Sequence, residues 1–249
     1  MASDPPEIPD DAGRRHFATT RWSLVLAAGA SHRTDAQVAL NELCATYWYP
    51  LYAYVRRHVA HVDQAQDLTQ AFFAHLLEQK AISRADRSRG RFRAFLLAAL
   101  KNFLASEWEK ARAEKRGGGK SPLSLDFDSG EFRYQTEPAH DTTPEKLYER
   151  RWALTLLDRV LERLQAELAA AGKREQFEQL KPALTGEATA ADYERAAAEL
   201  GITPAAAKQA AYRLRKRYRQ LLREEVARTV DDETEVDDEI GRLLEALSG

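Results

Sequence analysis

Gly201-Ile202-Thr203-Pro204 is the tetrapeptide that most narrows what this chain can fold into. YERAAAEL before it and AAAKQAAYRLRKRYRQLLREEV after it both read as helices. Glycine suits the left-handed residue that stops a helix. Threonine is an N-cap, and the proline behind it lacks an N–H that the first helical turn does not need. The unit from Asp192 to about Val226 is therefore predicted to be a helix-turn-helix. On its second helix Ala211, Leu214, Tyr218, Leu221 and Leu222 recur at three- and four-residue steps and make one apolar face. Lys208, Arg213, Arg215, Lys216, Arg217, Arg219 and Arg223 fill the rest, with no acid among them until Glu224. Such a helix suits phosphates, its early residues reaching base edges in the major groove. A basic solvated helix in an ordinary bundle is the bland alternative, and it leaves both the turn chemistry and the one-signed charge coincidental.

The net charge of −2 conceals segregation. From Asp231 to Gly249 eight acids stand against one base, Arg242, and without that tail 36 bases face 31 acids. Arg84 to Lys120 holds eleven bases and four acids, a second basic cluster well removed from the first. Two such clusters suggest two contacts on one polyanion. With 31 % charged residues and only 12 Gly and 9 Pro in 249, a mostly helical protein of two modest domains is expected. No apolar run approaches the roughly 20 residues of a membrane span, and the N-terminus has no signal-peptide core. The single cysteine, Cys44, rules out an internal disulfide and fits a reducing cytoplasm.

The fold class expected is all-α, two small helical domains joined by a flexible linker. Residues 1–16 read as a disordered arm. From 17 to 116 three apolar stripes mark helices: Leu40, Leu43, Tyr47, Leu51 and Val55, bent at Pro50; Leu68, Phe72 and Leu76; and Phe92, Leu96, Ala99 and Phe103. Gly117-Gly118-Gly119 stops the third, and the turn formers of 117–143 predict the linker. Thr143-Pro144 opens a long helix with a leucine seam (Leu147, Leu154, Leu157, Leu161, Leu164, Leu168) that Gly172 ends, and 144–230 is taken as the second domain. The tail, 231–249, carries Val236, Ile240, Leu243, Leu244 and Leu247 on one helical face. It is expected either to fold over a basic surface of the second domain or to complete that domain's core.

DLTQAFFAHLLE (67–78), GRFRAFLLAALKNFLASEWEKARAEKR (90–116) and AAAELGITPAAAKQAAYRLRKR, in this order and spacing, resemble a bacterial RNA polymerase sigma factor of the extracytoplasmic-function type in the sigma-70 family. FATTRWSLVLAAG and WYPLYAYVRR resemble a subgroup whose members often end in a similar acidic tail. The resemblance implies regions 2 and 4 of such a factor, binding core RNA polymerase through the beta-prime coiled coil and the beta flap, and binding promoter DNA. Asp63, Asp67, Gln70 and Phe73 would face the coiled coil. Arg87, Arg89, Arg91 and Arg93 would hold an unpaired strand of the minus-ten element, with Phe92, Lys101 and Asn102 at a flipped base, although Phe92 by itself reads as core. Lys208, Gln209, Tyr212 and Arg213 would read the minus-thirty-five element, and Arg217 and Arg219 its phosphates.

Two departures stand out. Gln64 and Gln66 occupy positions where the family usually has acids, and Ala210 replaces a residue that is often basic. Some members of the sigma family resemble this chain in lacking those acids and are switched on by a serine/threonine kinase, a resemblance that makes Thr69 the expected phosphorylation site. Gly119-Lys120-Ser121 is not a phosphate-binding loop, because Glu114 stands where the first glycine belongs. His58, His61 and His75 lack partners at metal-ligand spacing, and no nucleophile or cofactor motif suggests an enzyme. The rival reading is a free-standing helix-turn-helix repressor. It would normally dimerise on a two-fold site, and the chain shows no dimerisation coil.

Overall fold

The computed structural model describes residues 33–78, 91–113, 125–136, 143–185, 188–230 and 232–248, with side chains from Thr46 in the first segment and to Lys110 in the second. The expected arm at 1–16, Arg84, Arg87, Arg89 and the glycine stop at 117–119 lie outside the described residues. So do the side chains of Leu40, Leu43 and Cys44. Among the described residues all regular structure is helical: α1 Arg33–His58, α2 Val62–Glu78, α3 Phe92–Ala113, α4 Phe127–Thr136, α5 Pro144–Ala170, α6 Arg174–Leu180, α7 Ala190–Leu200, α8 Pro204–Ala227 and α9 Val236–Ser248. Short 3-10 turns follow α6 and precede α9.

α1 is the hub. It runs through Pro50 without ending, and between Thr46 and Val55 every side chain except Trp48 is buried. A helix apolar all round can only be stable when surrounded, and this one has α2 on one flank and α5 packed along another. Tyr47, Leu51 and Val55 are in the core as their spacing predicts, and Phe72, Leu76, Phe92, Leu96 and Phe103 join them from α2 and α3.

The expected linker is not plain coil where it is described. Residues 127–136 form α4, which lies against α1 through Phe127, 5.7 Å from the Trp48 ring and 5.4 Å from that of Tyr52. Gly130 permits this approach, since a Cβ there would sit 2.6 Å from the Trp48 ring. Glu131 then reaches Arg56 and Tyr52 on α1. The burial of Phe127 and Gly130 and the Glu131 contacts make α4 a docked element, where a flexible connection was expected.

α5 also departs from a simple two-domain picture. Its Tyr148, Trp152, Leu156, Val160 and Leu164 are buried in one apolar cluster with Tyr47, Leu51 and Phe92. Leu157, Leu161 and Leu168 of the expected seam lie at its partly buried edge, and Leu154 is half-buried. Aromatic residues decided the inward face, because Tyr148 and Trp152 bury more apolar area than the leucines beside them. The helix starts where expected, Thr143 Oγ1 accepting from the Lys146 amide. It ends at left-handed Gly172, φ +71°, with Lys173 N–H donating to Leu168 O.

The α7–α8 corner follows the tetrapeptide residue by residue. Thr189 and Asp192 form a reciprocal cap at the start of α7. Gly201 ends α7 at φ +63°, and the Ile202 N–H returns to Ala197 O. Thr203 then caps α8, accepting from the Ala206 amide ahead of Pro204.

Candidate nucleic-acid interface

Two separate surfaces carry the residues singled out in the sequence. On α8, Lys208, Gln209, Tyr212 and Arg213 are all exposed, Tyr212 by 65 %. Ala207, Ala210, Ala211 and Leu214 are buried behind them. Positions 208, 209, 212 and 213 span the first turns at three- and four-residue steps, so the four share one outward face close to the helix N-terminus. Ala210 points into the core. This position, where the family often has a basic residue, is therefore no part of the exposed face.

The later arginines of α8 divide in a way the sequence does not reveal. Arg215 is a strut: its Nε donates to Ala183 O at 2.7 Å and an Nη to Tyr193 Oη at 2.5 Å, pinning α8 to the turn after α6 and to α7. Arg217, expected on phosphates, grips Glu167 of α5 through two 2.8 Å bonds. That guanidinium holds the Glu167 carboxyl below its ordinary range. Arg219 is exposed, and Arg223 pairs with Asp237 of the tail. Position 215 lies at the rim of the apolar face. The only signal for it was its four-residue step from Ala211.

The second surface surrounds the start of α3. Phe92 is core, set edge-on 5.4 Å from the Tyr47 ring. Asn102 is exposed ten residues on, roughly 15 Å along the axis and turned well away from Phe92. The two do not form the common base pocket expected of them. Lys101 is on the outer face with Asn102, paired with Glu145 at 2.6 Å. This bond raises the lysine and lowers the carboxyl from their usual ranges.

Arg93 was expected on a strand backbone, and here it turns inward. Its guanidinium lies 4.3 Å above the Trp152 ring and its Nε is 2.5 Å from Glu149 of α5. An Nη also meets the buried carboxylate of Glu239 from α9, and Arg91 reaches the same carboxylate at 2.6 Å. Tyr148 fixes the backbone there, donating to Arg93 O at 3.0 Å.

On α2, Asp63 and Asp67 are exposed and Gln70 is half-buried. Phe73, expected on a partner-binding face, is 1 % exposed and packs in the core beside Phe72. Thr69 is fully buried. Its hydroxyl donates to Ala65 O at 2.7 Å, so the expected phosphorylation site is out of a kinase's reach in this conformation. In DLTQAFF both Thr69 and Phe73 fall on the inward side of α2, which Leu68 and Phe72 already indicated.

Residues 46–114 match the family model Sigma-70 region 2. That segment spans the second half of α1, the whole of α2 and α3, and the Arg91–Arg93 and Lys101–Asn102 surfaces. The match supports a sigma factor of the sigma-70 family, acting in promoter recognition and the initiation of transcription. No curated protein and no solved structure matches the chain. Among the described residues no helix is long and apolar enough to cross a membrane.

Proposed function

We propose that this chain is a promoter-specificity subunit of the extracytoplasmic-function type, working in complex with core RNA polymerase and without chemistry of its own. The observation that carries the reading is the region 2 match over 46–114. Within it, the exposed Asp63 and Asp67 of α2 are assigned to the beta-prime coiled coil, and Lys101 and Asn102 on the outer face of α3 to the unpaired strand of the minus-ten element. α7 and α8 act as the helix-turn-helix of a region 4. Lys208, Gln209, Tyr212 and Arg213 are assigned to the minus-thirty-five major groove, supported by their common exposed face. The domains assigned are 17–116 and 144–230, with the segment between them passing through α4.

Run-off transcription with core polymerase and promoter fragments, with and without the protein, tests the reading directly. Initiation should depend on the chain. Arg213→Ala should alter promoter choice at a cost of about 1–3 kcal/mol for a lost base contact. Asn102→Ala should fail on duplex promoters yet initiate on pre-melted ones. Absence of any protein-dependent transcript, or full indifference to both substitutions, overturns it.

A further inference from the structure

Glu239 stands in the wrong place for a residue whose role is packing. Its neighbours on the inward face of α9, Val236 and Leu243, are buried aliphatics, and Glu239 itself is 0 % exposed between them. A carboxylate in an apolar seam is costly unless cations meet it, and an aliphatic residue there would usually do at least as well for stability. Here the cations come from the other basic cluster. One carboxylate oxygen faces Arg91 Nε at 2.6 Å and the other meets an Nη of Arg93. These are ion pairs without well-aligned hydrogen bonds, because neither oxygen of Glu239 has an aligned donor. At its N-terminal end α9 also ties Asp237 to Arg223 of α8. The tail thus engages a basic side chain from each of the two clusters.

We propose that α9 is an internal phosphate mimic: Glu239 sits on Arg91 and Arg93 in the place a DNA phosphate would take, and DNA must displace the helix to reach them. The charge matches, since one carboxylate between two guanidinium groups takes the position of a phosphodiester oxygen pair. A groove of about 340 Å³ along the α5–α9 boundary has Arg93, Lys146, Arg150 and Arg242 in its lining beside Glu145, Glu149 and Glu245. Arg93 itself is buried, so it is the departure of α9 that opens Arg93 to a phosphate. The imperfect alignment of the pairs keeps the exchange feasible, because a phosphate that aligns better competes on favourable terms.

The inference rests on the proposed function only in taking DNA as the ligand, and its test contains no polymerase. A labelled single-stranded oligodeoxynucleotide of mixed sequence is titrated by fluorescence anisotropy with full-length wild type, Glu239→Gln and Asp237→Asn over a salt series. Glu239→Gln should bind at least about fivefold more tightly at low salt. Its slope of log affinity against log salt should stay close to that of wild type, because both forms place the same phosphates on Arg91 and Arg93 once α9 has left. Asp237→Asn, at an exposed pair, should stay within about twofold of wild type. Hydrogen exchange on wild type supplies a readout free of mutation: saturating oligonucleotide should speed exchange in 236–248. Equal affinity for Glu239→Gln and wild type, or unchanged exchange in α9 under saturation, overturns the clasp. Failure of every form to bind the oligonucleotide overturns it together with the assignment of Arg91 and Arg93 to DNA. Failure only in run-off assays removes the initiation reading and leaves the clasp standing.

Discussion

Replacing Glu131 by glutamine isolates the docking of α4. The carboxylate accepts from Arg56 Nε at 2.9 Å and Nη at 3.0 Å, from Tyr52 Oη at 2.5 Å and from Gln135 at 3.0 Å. Arg56 is itself anchored on the carbonyls of Val59 and Ala60 at the end of α1. The Arg56 hydrogen bonds are the main reason the Glu131 carboxyl drops from 4.5 to about 2. At 1.36 kcal/mol for each pH unit, that displacement corresponds to about 3 kcal/mol, and partial solvation reduces it to about 2. The folded-state value lies below the unfolded one. The contribution is therefore complete above the unfolded value near 4.5 and is lost as pH falls through about 2. Urea denaturation at pH 7 should show Glu131→Gln about 1–2 kcal/mol less stable than wild type, since the amide keeps some hydrogen bonds but no charge. By pH 3 the gap should shrink by about half. A gap below about 0.3 kcal/mol at pH 7, or one unchanged at pH 3, would mean that α4 hangs free of α1 and that the linker expectation was right.

Gly130→Ala should force its methyl into the Trp48 ring and cost about 1–2 kcal/mol, read as a lower urea midpoint with weakened near-ultraviolet dichroism. Gly201→Ala should destabilise by about 1 kcal/mol because φ +63° disfavours a side chain. Gly241→Ala, mid-helix and facing open space, should stabilise by about 0.5–1 kcal/mol. Calorimetry should move the two melting temperatures in opposite directions by about 2–4 °C for each kcal/mol. Thr69→Glu should cost about 3 kcal/mol or more by burying an unpaired charge, and a phosphomimetic that left the melting temperature untouched would show that Thr69 is accessible after all.

Legibility in the sequence follows the range of the interactions involved. Helix ends at Gly172, Gly201, Thr143 and Thr203 were readable because a cap is a negotiation between a residue and amides or carbonyls within about five positions. The apolar stripes of α1 to α3 were readable because the 3.6-residue period shows which face is apolar, whereas the set Lys208, Gln209, Tyr212 and Arg213 came from the resemblance and lies exposed. Thr69 and Phe73 were misjudged although their period was available. The resemblance placed them on a surface, while the stripe of Leu68, Phe72 and Leu76 placed them close to the core.

Other features had no local signal at all. A run of arginines looks alike whether it faces solvent, braces a neighbouring helix or binds an acid from the far end of the chain. Only the packed structure separates Arg213 on the surface from Arg215 on Ala183 and Tyr193, Arg217 on Glu167, and Arg93 between Glu149 and Glu239. The sequence by itself determined the longer helices, the ends set by local caps and the two basic clusters, because these depend on backbone chemistry and periodicity along a single segment, whereas α4 was read as linker. Tertiary structure decided that α4 docks on α1, that α5 shares the core of the first helices and that the acidic tail closes over Arg91 and Arg93. Charge pairing and burial join residues by distance in space, and the order of residues along a chain does not specify that distance.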